Sequence, residues 1–502
     1  MKQISGRILL FVFLVWAFTA CEPVEPDNPG KSNSVSLMRF AFPAGDNPSL
    51  NATATAMSVN SVFWVTVPAG TDLTRLVPEI TVSEGASVTV AGSPYTPGKA
   101  YDFSGNVVGV KVVSESGERT GNYRVCVKEG EPQVDRSIYQ FMNDFNVPGV
   151  SVSIMKGTEV VYSSGFGFAV VENDTRCTPD HLFRMASISK QFCTMCIMTL
   201  KEQGRLELDQ PVFGEKGILK GLYHDITPYH EAITVRNLLS HSSGICKGLS
   251  DPCFTNSYRF YSGTSTPVPT DTLIQRTLDA RQQPYDDGTM VWSPGMAYNY
   301  SNVGFCILHR IVEVISGKDY ESFLKEDVLA PIGVTDTHIG GYQNERRSNE
   351  CVYYSQGDSD SYRNPLRQMA GAAGIITSTN QMMKVLTYLD GDDTVPDIFS
   401  HETIEEMYTP YHYAGSGTYG ENYRRYGLGW RMNHSRLFIG SHYHGGNIAG
   451  TATLWVGHTE NGMSGAIVCN SRAYNSNSSG DIDDNMYLIL DELLRYFYNK
   501  AQ

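Results

Sequence analysis

The chain falls into two parts that differ in their pattern of apolar and polar residues. From about Asn33 to Lys128, apolar and polar positions alternate in short runs rich in β-branched residues, and glycine or proline turns separate the runs. Alternation with a period of two is typical of strands that bury one face. At this spacing the pattern predicts a small all-β sandwich over residues 33–130. The predicted strands are Ser34–Phe42, Ser61–Val67, Glu79–Val90, Val107–Val113 and Tyr123–Val127.

Residues 131–502 follow a second pattern, with strands near both ends and helices between them. In Val134–Phe145, apolar residues recur at helical spacing and predict an amphipathic helix. This order of elements favours an α/β domain in which a sheet carries helices and a helical insertion. The other predicted helices are Gln191–Gln203, a short one in Thr234–Gly244, Asp271–Arg281, Leu308–Ser316, Tyr320–Leu329, one ending at Leu389 and Asp483–Tyr498; the predicted strands or extended segments are Val147–Ile154, Glu159–Phe166, Arg205–Val212, Tyr426–Trp430, Thr451–Gly457 and Gly465–Asn470.

The N-terminus has the features of an export signal. Lys2 and Arg7 precede the apolar run Ile8–Phe18, which is shorter than the ~20 residues that span a bilayer. The run ends in Phe18-Thr-Ala-Cys21, which resembles a bacterial lipobox, although Phe18 stands where leucine is usual. We therefore expect a lipoprotein signal peptide over residues 1–21, lipidation of Cys21, an acidic, proline-rich tether over residues 22–32, and a lipid anchor in the cell envelope. The alternative is an ordinary cleaved signal peptide with a cysteine nearby.

Composition narrows the classes of partner. The chain has 502 residues, of which 41% are hydrophobic and 18% are charged, as in a globular protein with a sizeable core. Its net charge of −14 argues against nucleic acid as a partner. The histidines and cysteines show no tight ligand spacing, so we expect no metal and no other cofactor.

The ten cysteines allow several states. If Cys21 is lipidated, an odd number remains, so at least one thiol is free or pairs between chains. Cys246 and Cys253 lie close in the sequence and could bridge in an oxidising compartment. Cys193 and Cys196 fall on a predicted buried helix, where apolar surroundings favour a core role over a redox role.

A Ser-x-x-Lys pair, Ser187 and Lys190, stands at the start of the predicted helix Gln191–Gln203. A serine on the first turn lies beside free backbone N–H groups at the positive end of the helix. A lysine three residues later lies on the same face, within reach of the serine proton. This is the geometry of a nucleophile for acyl transfer. Two further Ser-x-x-Lys pairs fall on a strand end and inside a helix, where this geometry is not expected: Ser153/Lys156 and Ser322/Lys325.

Two further motifs follow the Ser-x-x-Lys pair along the chain. Tyr300-Ser-Asn302 follows a Trp-Ser-Pro-Gly turn, and His444-Gly-Gly446 comes later. With their flanking segments these motifs resemble the serine β-lactamase and penicillin-binding-protein superfamily, in the branch of class C β-lactamases, D-alanyl-D-alanine carboxypeptidases and related esterases. The resemblance covers about Val134–Tyr498. It implies a β-lactamase/DD-peptidase-like antiparallel sheet flanked by helices, with an all-helical subdomain, over residues 131–502.

The resemblance also implies roles for the site residues. Ser187 is the expected nucleophile, and Lys190 and Tyr300 are the expected proton-transfer groups. The Asn302 amide is expected to hold Lys190 and a substrate carbonyl. The oxyanion hole would use the N–H groups of Ser187 and Asn447, and Gly446 would let its strand approach closely.

The third motif departs from the Lys-Thr-Gly of many relatives. His444 replaces the lysine and is mostly neutral near pH 7 unless perturbed. Gly445 replaces the threonine, whose hydroxyl would hold a substrate carboxylate. Loss of such a charge-assisted hydrogen bond costs ~1.5–3 kcal/mol. We therefore expect weak β-lactamase activity at most.

Other residues have simpler interpretations. His241, Asp209 and Arg184 are expected to be structural, although a catalytic role for His241 stays open. Six tyrosines between Tyr408 and Tyr426 form either a substrate rim or a packed aromatic hairpin.

The sequence thus predicts an exported, lipid-anchored serine hydrolase that forms an acyl-enzyme with a peptide, an ester or a β-lactam-like substrate. Carboxypeptidase, amidase or esterase activity fits the motifs. The alternatives are a binding protein on a retired hydrolase scaffold and a true class C-like β-lactamase. Residues 33–130 resemble the immunoglobulin-like modules of bacterial lipoproteins. Their expected role is that of a spacer, and the alternative is binding of a polysaccharide or protein.

Overall fold

A computed structural model of the protein describes most of the chain. The predicted signal peptide and Cys21 lie outside the described residues, as does most of the predicted tether. Among the helices that the structure describes, none has both the length and the apolar character needed to cross a bilayer. The described residues are 30–254, 268–357, 360–391, 394–413, 425–432, 442–457, 459–473 and 479–502.

The N-terminal region forms two sheets, as its alternating pattern predicts. A three-stranded sheet has the order β2-β1-β5, and a six-stranded sheet has the order β3-β4-β9-β8-β6-β7. Their inner faces enclose one apolar cluster centred on Phe40, Phe42 and Phe103. The strands are β1 (Leu37–Phe42), β2 (Ala54–Thr55), β3 (Met57–Val59), β4 (Val62–Pro68), β5 (Glu79–Val82), β6 (Ser87–Val90), β7 (Ser93–Pro94), β8 (Val108–Val113) and β9 (Thr120–Gly130).

The larger region is built on one antiparallel sheet whose strands come from both ends of the sequence. Its order is β12-β11-β10-β23-β22-β21-β20-β19-β18. A three-stranded sheet, β13-β17-β16, and the pair β14-β15 lie outside it. The strands are β10 (Gly149–Lys156), β11 (Glu159–Val170), β12 (Thr175–Arg176), β13 (Phe183–Arg184), β14 (Tyr285–Asp286), β15 (Val291–Trp292), β16 (His338–Ile339), β17 (Ile375–Thr377), β18 (His412–Tyr413), β19 (Arg425–Tyr426), β20 (Arg431–Met432), β21 (His442–Ile448), β22 (Thr451–Gly457) and β23 (Met463–Cys469).

Helices cover both faces of this sheet, so its central strands are apolar on both sides. Trp455 and Ala466 face the central helices, whereas Leu454 and Ile467 face the first and last helices. This confirms the predicted mixed α/β fold with a helical insertion. The helices are α1 (Pro132–Asp144), α2 (Ser189–Glu202), α3 (Pro228–Glu231), α4 (Val235–Leu239), α5 (Thr270–Ala280), α6 (Asn302–Ser316), α7 (Tyr320–Phe323), α8 (Thr379–Leu386), α9 (His401–Tyr408) and α10 (Ile482–Lys500).

Several predicted elements differ in detail. The predicted strand Tyr426–Trp430 is wrong, because Gly427–Trp430 turns between β19 and β20 and Gly429 has a φ of +80°. The predicted helix Leu308–Ser316 begins earlier, at Asn302, because the Ser301 hydroxyl caps it by accepting from the Gly304 N–H at 3.0 Å. The segment Arg205–Val212 forms no named strand.

The N-terminal sheets and the larger region share one apolar cluster. The Trp64 ring lies 5.2 Å from that of Phe168 and 5.8 Å from that of Tyr139, measured between ring centroids. A buried ion pair joins Lys128 of β9 to Asp135 of α1, with 3.2 Å between Nζ and Oδ2. The two regions are therefore packed directly against each other.

Asp135 is the group of this interface that most needs compensating contacts. Its side chain is fully buried. Besides Lys128, its carboxylate accepts from the Thr66 hydroxyl at 3.1 Å and the Tyr162 hydroxyl at 2.5 Å. Burial lowers the pKa of Lys128, and the facing Asp135 carboxylate opposes that change. Removing either partner would leave the other buried without an opposite charge.

We expect Asp135→Ala to lower the free energy of unfolding by ~3–5 kcal/mol, because it strands a buried ammonium and two hydroxyls. Denaturant titration measures the change. Arg136→Ala, at the exposed neighbouring position, serves as the matched control and should change stability by less than ~0.5 kcal/mol. Equal losses in the two variants would contradict this account of the interface.

Candidate active site

Ser187 lies on a tight turn between a strand and a buried helix. β13 ends at Arg184, a 3-10 turn covers Ala186–Ile188, and α2 begins at Ser189. Ala186 has a φ of +48°, a left-handed conformation that costs a residue with a Cβ of order 1 kcal/mol or more. The turn leaves Ser187 partly exposed while its neighbours Ala186 and Ile188 are buried.

Lys190 is fully buried on the first turn of the helix, and its polar contacts are all with groups of the site. Its Nζ donates to Asn302 Oδ1 at 2.7 Å and to the Ala372 carbonyl at 2.8 Å, and it lies 3.4 Å from Ser187 Oγ. Burial lowers the pKa of Lys190 to about 7, although the Asp251 carboxylate opposes this effect. A neutral amine has two N–H bonds and one lone pair. With both N–H bonds engaged, the lone pair is left for the Ser187 proton.

Tyr300 lies beside Lys190. Its ring faces Lys190, with 4.7 Å from Nζ to the ring centroid. Burial raises the pKa of its phenol, and a hydrogen bond with Ser187 partly offsets that rise. The phenol therefore keeps its proton at neutral pH and can pass it to a leaving group.

His241 supports Tyr300 from behind. The two ring centroids are 4.2 Å apart, and His241 Nδ1 accepts from the Ser301 N–H at 3.1 Å. Burial and the nearby Lys190 hold the pKa of His241 well below its usual value. Its φ of +57° marks a strained backbone at the same place. These contacts agree with the structural role expected for His241.

β21 runs past the turn that carries Ser187. A Cβ added to Gly446 would lie 2.4 Å from the Met185 carbonyl and 2.9 Å from the Ser187 nitrogen, so no side chain fits there. The strand therefore approaches the nucleophile as the Gly446 prediction requires. Asn447, the next residue, is exposed, and its amide donates to Asp483 Oδ2 at 3.0 Å.

His444 is buried on the same strand and is uncharged. Its Nδ1 lies 2.7 Å from the Gly445 carbonyl, so Nδ1 carries the proton and donates it. Nε2 then accepts from the Tyr426 hydroxyl at 3.2 Å. Burial, with Arg431 nearby, holds the pKa of His444 well below its usual value. The histidine thus supplies no positive charge to a substrate.

Arg431 is the cation that sequence reasoning missed. Its guanidinium lies 6.0 Å from the Tyr300 ring centroid and borders a cavity of about 170 Å³ beside Gly445. No described carboxylate forms an ion pair with it. Its position on the short strand β20, which the sequence pattern did not resolve, gave no signal of a site role.

Asp251 is a second residue that sequence reasoning missed. Its side chain is partly exposed, and its Oδ2 accepts from Asn302 Nδ2 at 2.5 Å. Because Asn302 Oδ1 accepts from Lys190, this contact fixes which way the Asn302 amide points. Within the described chain, no lysine or arginine pairs with Asp251. It lies in a long loop without a recognisable motif.

The remaining sequence predictions have mixed outcomes. Arg184 and Asp209 are structural: Arg184 stacks on Tyr353 at 4.1 Å, and Asp209 pairs with Arg236 at 2.7 Å. Of the six tyrosines, Tyr426 belongs to the site through His444, while Tyr419 and Tyr423 lie outside the described residues. The structure describes one exposed group of three potential metal ligands, and exposed acidic groups of that kind are common without an ion: His224, Asp225 and Asp279.

Together these groups can perform acyl transfer. Lys190 can take the Ser187 proton as Oγ attacks a carbonyl carbon, and the Tyr300 phenol can protonate the leaving group. The backbone N–H of Ser187 lies beside β21, where an oxyanion would gather. The arrangement needs no metal to activate its nucleophile.

Comparisons with known proteins agree with this geometry. The family profile described as Beta-lactamase matches residues 134–485, and one described as SGBP, N-terminal, matches residues 49–127. A Bacillus subtilis (strain 168) protein named "Putative penicillin-binding protein PbpX" is 28% identical over 318 residues, 61% of this chain and 71% of that protein. Protein flp of Staphylococcus aureus (strain N315) is 23% identical over 64% of this chain, which spans only 59% of that relative's length.

Solved structures share the fold. A penicillin-binding protein homologue from Pyrococcus abyssi, described as octameric, has a TM-score of 0.56 and 26% identity, over 72% of this chain and 77% of its own. A D-amino acid amidase from Ochrobactrum anthropi SV3 has a TM-score of 0.55 and 21% identity, over 72% of this chain and 99% of its own. At the latter identity the likeness establishes the fold alone.

The pKa of Lys190 predicts a pH dependence. Because Lys190 must be neutral to accept the Ser187 proton, kcat/KM for an uncharged ester should rise as the pH increases through about 7. His241 and His444 stay neutral across this range and add no second step. Initial rates with a nitrophenyl ester between pH ~5.5 and pH ~8.5 measure the profile.

Ser187→Ala is the control for this profile and should show no turnover above background at any pH. A wild-type rate that does not change with pH would rule out Lys190 as the base. Full activity in the Ser187→Ala variant would rule out the nucleophile.

Proposed function

Because the chain belongs to the Beta-lactamase family and is a serine hydrolase that works through an acyl-enzyme, we propose that it hydrolyses amides or peptides whose acyl group carries a free amino group. The single observation that supports this substrate class is the Asp251 carboxylate. It lies on Asn302, next to the catalytic lysine, without a described cationic partner. A partly exposed carboxylate close to the catalytic lysine favours a substrate ammonium.

The neighbouring groups fit the same substrate. The Asn302 amide, whose oxygen holds Lys190, uses one of its two N–H bonds on Asp251, which leaves one N–H bond for a substrate carbonyl. A cavity of about 400 Å³ is lined in part by Leu366, which also packs on Ala186 beside the nucleophile. It offers room for the side chain of an acyl donor. The fold relatives include a D-amino acid amidase and a D-stereospecific amidohydrolase, which is in keeping with an amino-acid amide as substrate.

Carboxypeptidase activity is a second candidate, and Arg431 supports it. The guanidinium borders the cavity at Gly445 and can pair with the carboxylate of a leaving amino acid. A dipeptide with a free amino group and a free carboxylate would use both charged residues. An ester lacking both charges would use neither and should be a poor substrate.

We further propose that the protein is exported and held at the cell envelope through Cys21, as its N-terminal sequence predicts. The N-terminal sheets then separate the hydrolase from the anchor. The similarity to the N-terminal region of SGBP proteins keeps a binding role for these sheets open to test. Direct packing on α1 suits a spacer that fixes the position of the hydrolase.

The experiment compares a D-amino acid nitroanilide with its N-acetyl derivative near neutral pH. We expect kcat/KM to favour the free amine by ~10- to 100-fold, since a charge-assisted hydrogen bond contributes ~1.5–3 kcal/mol. Asp251→Asn should reduce that ratio towards one. Asp286→Asn, which alters an exposed carboxylate on β14, is the matched control and should keep the ratio. An unchanged ratio in Asp251→Asn would refute the proposed substrate class.

Gly445 generates a separate expectation for β-lactams. A Cβ at position 445 would lie 3.4 Å from the Tyr487 hydroxyl and 3.6 Å from the Thr453 carbonyl, which are ordinary contacts. The Gly445→Thr variant should therefore fold and supply the missing hydroxyl, raising slow cephalosporin hydrolysis by ~10-fold or more. Gly445→Ala adds carbon without a hydroxyl and should give no such rise. Wild-type turnover at the rate of a dedicated β-lactamase would contradict the expectation.

A further inference from the structure

Two buried thiols lie opposite each other beside the catalytic lysine. Cys253 Sγ and Cys306 Sγ are 3.6 Å apart, and both side chains are fully buried. Cys306 belongs to α6, one turn after Asn302, and so lies on the same face of that helix. Cys253 belongs to the loop that carries Asp251.

The same two segments meet at the site itself. Asp251 Oδ1 accepts from the Cys253 N–H at 2.9 Å, and its Oδ2 accepts from the Asn302 amide. Asn302 in turn accepts from Lys190. The thiol pair therefore joins the two segments whose contact orients the catalytic lysine.

We propose that Cys253 and Cys306 form a disulfide when the protein folds in an oxidising compartment, and that this bond fastens the Asp251 loop to α6. Each thiol gives up one proton and one electron as the S–S bond forms. A small disulfide such as oxidised glutathione takes the two electrons, and its own S–S bond breaks to give two thiols. The bond does not depend on the proposed substrate class; its formation in the cell rests on the proposed export.

Geometry favours this pair over the Cys246–Cys253 bridge that sequence proximity suggests. Cys246 Sγ instead accepts from the Ser301 hydroxyl at 3.3 Å. An S–S bond is about 2.05 Å long, so Cys253 and Cys306 must move together by ~1.5 Å. Cys306 is held in a helix, but Cys253 lies in a loop, which can supply that movement.

Burial determines when the bond can form. Burial raises the pKa of Cys253 well above its usual value, so the folded protein holds almost no thiolate at this position. Oxidation is therefore expected during folding, before the loop closes over the pair. Once formed, the bond would be shielded from reductants.

The experiment refolds the full chain from denaturant, once in a glutathione redox buffer and once in excess reductant, then alkylates free thiols and digests with trypsin without reduction. Cleavage after lysine and arginine places Cys246 in Asn237–Lys247, Cys253 in Gly248–Arg259 and Cys306 in Gln282–Arg310. We expect mass spectrometry to find the last two peptides joined in the redox-buffer sample and separated after reduction. Alkylated Cys253 in that sample, or its linkage to Cys246, would overturn the proposal.

A second measurement does not depend on peptide recovery. The oxidised wild-type protein should melt at least ~3 °C above the reduced protein, because the bond closes a long loop in the unfolded chain. Cys306→Ala and Cys253→Ala should each abolish that difference, with each variant compared with itself under the two conditions. Cys196→Ala, at a buried cysteine on α2, should keep the difference. A difference that persists in both Cys306→Ala and Cys253→Ala would overturn the proposal.

Neither measurement uses turnover, so its failure can be told apart from failure of the proposed function. A joined peptide pair without amine selectivity refutes the substrate class and keeps the bond. Amine selectivity in protein whose Cys253 stays alkylated keeps the substrate class and refutes the bond.

Discussion

The burial of the Lys190 amine is the constraint on which the rest of the site depends. A charged ammonium without exposure costs several kcal/mol, whereas a neutral amine needs only acceptors for its two N–H bonds. Asn302 at the start of α6 and the Ala372 carbonyl in the π-helical turn Ala370–Gly374 supply those acceptors. The helical insertion thus holds Lys190 where a neutral amine is favoured and its lone pair faces the nucleophile.

Burial also determines which other groups around the site carry charge. Burial, which lowers the pKa of Lys190, also lowers the pKa values of His241 and His444 and keeps both histidines neutral. Among the described residues, Arg431, Asp483 and Asp484 border the cavity beside Gly445, and Asp251 contacts Asn302. In the function that we propose, an arginine on a neighbouring strand and an aspartate in a loop, rather than the third motif, recognise the charges of the substrate.

The sequence predicted those site residues whose positions depend on their neighbours in the chain. Ser187 and Lys190 are three residues apart on one helix, so a motif shows both their identity and their spacing. Asp251 and Arg431 reach the site through a loop and a two-residue strand, where no periodicity distinguishes them from other polar residues. The predicted strand at Tyr426–Trp430 failed similarly, because a glycine turn interrupts an otherwise strand-like run. Short-range patterns thus predicted the nucleophile, while the groups we assign to substrate recognition came only from long-range packing.

The strained backbone at Ala186 separates the folding of the protein from the orientation of its nucleophile. Its left-handed conformation persists because the surrounding side chains, among them Leu366 and Ile448, press on it. The orientation of Ser187 is therefore a local state maintained by packing rather than a necessary result of having folded. Loss of activity in a variant that still melts normally would not, by itself, identify the altered residue as part of the chemistry. Genetic screens of this protein would then return positions around the turn together with true catalytic groups.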